Sequence, residues 1–177
     1  MIKKILVSQP APTTDKSPYH DIAQNFGVEF TFQPFVKVEG LEAREFRSQK
    51  VNILDHTAIV FNSRNAIEHF FHLCKELRVT LPEDMKYFGI SEKVILYIQK
   101  FVQYRKRKVF FGTSGHWPEL LTVMAKHKTE KYLFPLSEGT SLEIAGQLDQ
   151  KKIKHTECTM FRTVQAKLDE DTFKNYD

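Results

Sequence analysis

Short apolar runs alternate along this chain with longer segments whose apolar residues recur at helical spacing. The run 57–61 is almost wholly apolar, the turn 62–65 that follows is polar, and the segment 66–77 has apolar residues three or four positions apart. The apolar run predicts a strand, and the helical spacing predicts an amphipathic helix. Asn62 or Ser63 is placed to cap that helix, because their side chains accept hydrogen bonds from the first N–H groups of a helix.

The same succession of strand and helix recurs along most of the chain. Strands are predicted at 4–8, 28–32, 57–61, 86–89, 108–112 and 131–135, and helices at 18–26, 41–49, 66–77, 91–104, 118–126 and 141–149. Strands that alternate with helices of this length are typical of βαβ units and of a parallel sheet. The sequence therefore predicts an α/β fold.

Two segments break this regularity and divide the chain. Residues 34–40 and 156–165 alternate apolar and polar side chains, which predicts extended, half-exposed ribbons. We interpret residues 41–155 between them as a complete second α/β domain, and residues 1–33 plus 166–177 as a discontinuous first one. The first domain has only one βαβ unit in this chain, which is too little to close a core alone.

Composition and charge narrow the range of functions. Of the 177 residues, 41% are hydrophobic and 27% are charged, as in a globular protein with a core. The net charge of +4 favours an acidic ligand, but no stripe of basic and aromatic residues indicates a nucleic-acid partner. No apolar run is long enough to span a bilayer. Cys74 and Cys158 stand far apart, which is typical of a reducing compartment, and we expect a cytoplasmic monomer.

A small polar cluster follows each predicted strand of the middle section. The clusters are Asn62-Ser63-Arg64, Gly89-Ile90-Ser91-Glu92, Thr113-Ser114-Gly115-His116 and Ser137-Glu138-Gly139-Thr140-Ser141. The carboxyl ends of parallel strands meet at one edge of a sheet, where ligands bind, and the N–H groups of helix starts suit anions. The binding candidates are Asn62, Ser63, Arg64, Gly89, Ser91, Glu92, Ser114, His116, Ser137 and Gly139. Each cluster alone is also explained by helix capping.

Other polar features give weaker indications of a site. The densest charge run, 105–108, precedes a strand and is typical of a solvated helix end at the opposite edge of the sheet. His69 and His72 lie three apart on a helix without a third ligand nearby in sequence, so no metal site is predicted. The sequence contains no triad order, nucleophile elbow, Walker loop or dinucleotide motif, and no acid/base pair of carboxylates stands out.

Several segments, taken in order, resemble the uroporphyrinogen-III synthase family. Residues 4–10, Lys-Ile-Leu-Val-Ser-Gln-Pro, resemble the opening strand I-L-V-T-R-P of that family, and residues 60–63 resemble its F-T-S turn. Residues 87–92 sit where the family has V-G-x-x-T-A, and residues 159–164 resemble its returning ribbon V-Y-R-T-V. Residues 37–39 and 104–111 further resemble the Bacteroidetes-like branch. Single motifs are loose, but their order and spacing are fairly specific.

The resemblance implies two flavodoxin-like parallel-sheet domains joined by a two-stranded antiparallel ladder, with the first domain incomplete in this chain. It implies cyclisation of hydroxymethylbilane, with inversion of the last pyrrole ring and loss of water, in tetrapyrrole and heme biosynthesis. No cofactor is implied, and the substrate is a linear tetrapyrrole with eight carboxylates. The family's reaction is thought to pass through an azafulvene and a spiro intermediate, so the enzyme mainly folds its substrate and stabilises developing charge.

Three departures from the family pattern concern the site. Ser8-Gln9 replaces Thr-Arg, and Phe161 stands where the family often has a Tyr implicated in departure of the hydroxyl. Gln9 and Phe161 are both carried over as substrate-binding candidates. The chain also ends where the family continues into the other wall of the cleft, so we expect this chain alone to cyclise substrate poorly. The main alternative is a non-catalytic α/β module that binds a small anionic ligand at the strand carboxyl ends.

Overall fold

The computed structural model describes residues 2–14, 16–168 and 176, which divide between two units. The smaller unit comprises residues 1–37 and 163–177, and the larger unit comprises residues 38–162. Of the predicted segment 166–177, residues 169–175 and 177 lie outside the described part of the chain.

The smaller unit contains a single βαβ motif. Strands β1 (Lys4–Val7) and β2 (Glu29–Phe32) pair in parallel, and helix α1 (Pro18–Phe26) connects them. As predicted, α1 ends at Gly27, whose φ of 62° lies in the left-handed region that glycine adopts without steric cost. The Tyr19 ring packs edge-on against Phe30 and Phe32, at centroid distances of 5.2 and 5.1 Å. Among the described residues of this unit, no apolar side chain is buried.

The larger unit is built on a parallel sheet with alternating helices. Its strands are β3 (Val36–Gly40), β4 (Ala58–Phe61), β5 (Lys86–Gly89), β6 (Val109–Phe111), β7 (Tyr132–Ser137) and β8 (His155–Gln165), of which β3 and β8 extend past the boundary of the unit. Its helices are α2 (Ala43–Ser48), α3 (Arg64–Glu76), α4 (Glu92–Ile95), α5 (Trp117–Ala125) and α6 (Ala145–Gln150). The predicted α/β fold with a mostly parallel sheet is therefore confirmed.

The strand order of this sheet is β3-β8-β7-β4-β5-β6. The pairs β8-β7, β7-β4, β4-β5 and β5-β6 are parallel. Strand β3 runs antiparallel to β8, since Leu41 N–H donates to the Met160 carbonyl and Ala166 N–H donates to the Phe35 carbonyl. If the five parallel strands β4 to β8 are renumbered 1 to 5 along the chain, their order across the sheet from β6 to β8 is 3-2-1-4-5. A flavodoxin-like sheet has the order 2-1-3-4-5.

Two apolar cores cover the faces of the sheet, because side chains of a strand alternate between its faces. Ile59 and Phe61 of β4 pack into one core with α3, and Ala58 and Val60 pack into the other with α5 and α6. All four residues are buried, which explains why this strand has an uninterrupted apolar sequence.

Two of the predicted helices are wrong in extent. The predicted helix 91–104 is the single turn α4 followed by a 3₁₀ segment, Leu96–Lys100. Ile95, the last residue of α4, and Ile98 of the 3₁₀ segment are both buried in the same core. The run 105–108 is therefore not a helix end but an extended residue and a short 3₁₀ turn before β6. The predicted helix 141–149 begins only at Ala145, because Leu142 N–H donates to the Glu157 carboxylate instead of starting a helix.

None of the helices in the described part of the chain combines the length and the apolar character needed to cross a bilayer.

Candidate functional site

The direction of the chain across the sheet reverses between β4 and β7. From β4 the chain proceeds to β5 and β6 on one side, and it then returns to place β7 and β8 on the other side of β4. Loops that leave such neighbouring strands in opposite directions open a crevice at the carboxyl ends, and ligands of open α/β sheets bind there. The strand order therefore selects one position along the carboxyl edge.

An open cleft of about 400 Å³ lies at this position. It brings together four of the predicted residues: Asn62 and Ser63 directly after β4, Ser137 at the end of β7, and Phe161 within β8. Trp117 and Leu136 add apolar surface, and Thr140, Ser141 and Glu143 add polar groups. We refer to the space lined by these residues as the switch-point cleft.

Helix α3 starts at the floor of the switch-point cleft. The Ser63 hydroxyl accepts a hydrogen bond from Ala66 N–H at 3.1 Å, and the Ser63 carbonyl accepts one from Ile67 N–H at 3.3 Å. The N–H groups of Arg64 and Asn65 precede these bonds and have no intrahelical acceptor, as in any helix start. This 13-residue helix therefore presents two amide donors beside Ser63.

A β-bulge places Phe161 at the cleft. The pairing of β7 with β8 shifts after Leu136, so that Ser137 lies opposite Phe161, and Glu138 N–H donates to the Phe161 carbonyl at 2.8 Å. Bulges of this kind redirect side chains at the ends of sheets. Phe161 is 7% exposed as a residue, and its ring stacks on His69 with centroids 5.4 Å apart. Burial lowers the pKa of His69.

The turn after β6 differs from the prediction that its amides would bind an anion. Thr113 N–H, Thr113 Oγ1 and Ser114 N–H all donate to Glu119 Oε2, at 2.9, 2.5 and 2.7 Å. The hydrogen bond from the Thr113 side chain, with those from Ser114, lowers the pKa of Glu119 to about 2. The donors near Ser114 are thus satisfied by a carboxylate of the chain itself, while the adjacent His116 is exposed.

Some of the donors in the turn after β7 are also satisfied by hydrogen bonds within the turn. Thr140 Oγ1 and N–H both donate to the Ser137 carbonyl, and Gly139 adopts a φ of 74°. Since α6 begins several residues later, this turn presents no helix start, contrary to the prediction. Ser137 contributes to the cleft, and the exposed Gly139 gives the turn its left-handed residue.

The turn after β5 has mainly a structural role. Gly89 is buried, and a Cβ added there would lie 2.4 Å from the Cβ of Ile95, so Gly89 permits α4 to pack closely on β5. Ser91 caps α4 through a 3.4 Å hydrogen bond from Val94 N–H. Glu92 is exposed at the start of this four-residue helix.

A cluster of cations, of which the sequence singled out only Arg64, lies beside the start of α3. Arg64, Lys93 and Lys100 surround Tyr97, and we call these three cations the cation patch. Arg64 Cζ lies 5.6 Å and Lys100 Nζ 4.4 Å from the centre of the Tyr97 ring. The Tyr97 hydroxyl donates to Glu68 at 3.1 Å, which fixes the ring that these cations contact. Among the described residues, the patch and the switch-point cleft have no lining residue in common, but Arg64 of the patch follows Ser63 of the cleft directly in sequence.

Two further residues were missed at the sequence level. Trp117, the single tryptophan, lines the switch-point cleft, and its occurrence directly after a strand-end turn was a usable signal. Arg162 donates to Glu39 at 3.1 Å and to both Glu45 oxygens at 2.8 and 3.0 Å. These contacts span more than a hundred residues of sequence and fix the β8 segment next to Phe161.

The other candidates lie elsewhere. Gln9 is exposed in the smaller unit, directly after β1. Arg105 precedes β6 and contacts Glu83 at 3.7 Å, so the 105–108 run lies at the amino edge of the sheet, as predicted. Among the described residues, no group of His, Cys, Asp or Glu side chains is arranged to hold a metal ion.

Comparison with known proteins identifies relatives of this fold. A mutant uroporphyrinogen III synthase from the extremely thermophilic bacterium Thermus thermophilus is 12% identical to this chain and superimposes with a TM-score of 0.60. The alignment covers 93% of this chain and 64% of that one. The uroporphyrinogen-III synthetase of Helicobacter pylori 26695 is 11% identical, with a TM-score of 0.56 and coverage of 100% and 68%. At these identities the likeness concerns the fold, and this chain spans about two thirds of the length of those proteins.

Sequence comparison gives the family. No curated protein sequence matches this chain significantly. The family model described as uroporphyrinogen-III synthase HemD matches residues 17–176, which is most of the chain. The chain therefore belongs to the uroporphyrinogen-III synthase family.

Proposed function

We propose that this protein acts in the uroporphyrinogen-III synthase reaction, the cyclisation of hydroxymethylbilane with inversion of the last pyrrole ring and loss of water. The observation that carries the proposal, together with family membership, is the switch-point cleft with amide donors and the cation patch at one edge. A linear tetrapyrrole carries both apolar rings and carboxylates. The cleft and the patch offer surfaces of both kinds side by side.

Each part of the site has a distinct role in this proposal. The N–H groups of Arg64 and Asn65 and the three cations of the patch bind substrate carboxylates. Trp117, Leu136 and Phe161 contact the pyrrole rings, and the hydroxyls of Ser63 and Ser137 orient them. The larger unit thus acts by holding the substrate in a reactive shape and by stabilising charge, which needs no acid/base pair of carboxylates.

The predictions on cellular location, oligomeric state, partners, domain bounds and family branch extend this proposal. We infer a cytoplasmic monomer that binds neither nucleic acid nor membranes, in line with the free cysteines Cys74 and Cys158. We also retain the predicted domains, 1–33 plus 166–177 and 41–155 with ribbons 34–40 and 156–165, and the place in the Bacteroidetes-like branch.

Ligand binding tests the proposal. At constant ionic strength, uroporphyrinogen III or a linear tetrapyrrole should raise the Tm of this chain in a saturable way, and nucleotides should not. The double variant Arg64→Gln/Lys93→Gln should weaken binding at least tenfold, because both cations belong to the patch. The matched control Arg47→Gln/Lys75→Gln removes equal charge at exposed positions and should bind like wild type. Equal loss in both pairs would contradict a specific site.

Catalysis by this chain alone is a separate question. We expect hydroxymethylbilane to yield mainly the spontaneous type I isomer, since the chain spans 64% of the length of the Thermus protein and Phe161 has no hydroxyl. Chromatography of the oxidised products separates the isomers. A dominant type III product would show that the larger unit and the short smaller unit suffice.

The absence of a hydroxyl at Phe161 favours one alternative, a non-catalytic α/β module that binds a small anion at the same edge. A Tm shift with nucleotides or sugar phosphates, and none with tetrapyrroles, would support this alternative and overturn the enzymatic proposal.

A further inference from the structure

A second pocket of about 350 Å³ lies at the amino ends of β4, β7 and β8, opposite the switch-point cleft. We call it the amino-end pocket, and its charged lining consists of Lys50, Asp55, His56, Lys131, Lys154 and His155. Strand β7 has six residues and spans about 20 Å at roughly 3.3 Å per residue. A ligand held at the switch-point cleft therefore lies a full strand length away from this pocket.

The lysines of the amino-end pocket have no carboxylate partner within the described ranges of the chain. Lys50 follows α2, Lys131 precedes β7 and Lys154 precedes β8, and no ion pair of a described residue involves their ammonium groups. The one carboxylate of the lining, Asp55, already accepts a hydrogen bond from Asn52 Nδ2 at 2.9 Å. The lining thus carries three lysine ammonium groups and one carboxylate, which already accepts a hydrogen bond. This excess of positive charge attracts anions.

Two histidines complete the lining with oriented ring nitrogens. His56 is 9% exposed, and its Nδ1 lies 2.9 Å from the Asn52 carbonyl, which can only accept, so Nδ1 carries the proton. His155 Nδ1 lies 3.1 Å from the Ile153 carbonyl and is oriented in the same manner. It also lies 3.9 Å from Asp149, an exposed carboxylate outside the pocket lining. In both rings Nε2 is left for a ligand, and it donates to an oxyanion when the ring carries a second proton.

We propose that the amino-end pocket binds a small oxyanion carrying two negative charges, of the phosphate or dicarboxylate class. Its volume suits a small molecule, and its cations come from three separate loops. An anion that bridges Lys50, Lys131 and Lys154 ties these loops together, so binding stabilises the folded larger unit. This inference does not depend on the chemistry at the switch-point cleft.

Inorganic phosphate is the first probe, with sodium chloride added to keep ionic strength constant. The Tm of the chain should rise with phosphate and saturate, and NMR signals of the His56 and His155 rings should shift along the same curve. Malonate forms the second arm, which distinguishes a phosphoryl from a dicarboxylate source. Saturation with either probe supports the proposal, and no saturable response to both would overturn it.

Matched variants locate the binding. Lys131→Gln/Lys154→Gln should weaken phosphate or malonate binding at least tenfold, while Lys128→Gln/Lys151→Gln removes equal charge from exposed positions three residues earlier in each loop and should bind like wild type. All four lysines are exposed, so both variants should fold, which circular dichroism checks. Equal binding by the two variants would assign the effect to general charge attraction and refute the pocket.

Discussion

Glu119 shows how a single side chain changes the character of a strand-end turn. Its carboxylate accepts three hydrogen bonds from Thr113 and Ser114, which belong to the turn before its own helix. The turn is therefore fixed by an internal anion, and the donors that would otherwise bind an external one are satisfied. Family resemblance and turn composition gave no sign of this, because Glu119 reads as an ordinary acidic residue of a first helical turn.

Glu119→Gln should lower the Tm at neutral pH and lose this effect in acid. The folded-state pKa of Glu119 is about 2, below its ordinary value of 4.5, so its stabilisation is fully present above pH 4.5 and is lost as the pH falls through 2. Melting curves of wild type and variant between pH 7 and 2 should therefore converge. Glu143→Gln removes an exposed carboxylate and serves as the control. A Tm difference that stays constant down to pH 2 would refute this account of the turn.

At the scale of elements, the contact between β5 and α4 depends on a glycine at the end of the strand. Gly89 ends β5 directly beneath Ile95, and the close approach leaves no space for a Cβ. The chain then continues in a 3₁₀ segment rather than in a long helix. Gly89 was predicted as a binding residue, and the structure gives it a packing function between two elements.

Gly89→Ala should destabilise the protein by about 1–3 kcal/mol, the usual cost of overpacking a core. The matched control is Gly146→Ala in the exposed first turn of α6, where an added Cβ meets nothing within 4 Å. That change should stabilise by about 0.5–1 kcal/mol, because alanine loses less backbone freedom than glycine on helix formation. Urea unfolding measures both values. Similar effects at the two positions would disprove the packing function of Gly89.

At the scale of the molecule, the two units differ in how much apolar surface they bury. The larger unit has two cores of fully buried side chains on either side of its sheet. In the smaller unit, β1, β2 and α1 have no buried apolar side chain among the described residues, although Tyr19, Phe30 and Phe32 contact one another. Stability that depends on burial therefore resides mainly in the larger unit.

Native-state hydrogen exchange should reflect this division. We expect amides of β4 and β7 to exchange only through global unfolding, and amides of β1 and β2 to exchange through local opening at a much lower free energy. Mass spectrometry or NMR of the intact chain measures both sets in one experiment. Because β1 and β2 pair on one side and β4 and β7 pair on both, only amides that donate within a sheet are compared. Equal protection of the two sets would contradict the assignment of stability to the larger unit.

The sequence determined those features that depend on neighbouring residues. Apolar runs and helical spacing located most strands and helices of the described chain, because propensity and amphipathicity are local. Gly27 marked the end of α1, and the pair Asn62-Ser63 marked the start of α3, where Ser63 is the cap. The helix ends at Lys50, Arg78 and Lys152 could not be located in this way, because the left-handed residue at each end, with a φ of 56°, is not a glycine.

Only the tertiary structure decided which of the strand-end clusters share a cleft. The position of β7 beside β4 places Ser137 and Phe161 next to Asn62 and Ser63, and no local spacing contains that strand order. The Glu157 carboxylate accepts a hydrogen bond from Leu142 N–H, fifteen residues away in sequence. Arg162 donates to Glu39, and the sequence between these two residues includes most of the larger unit. These contacts join residues that are distant along the chain, so they exist only once the sheet has assembled.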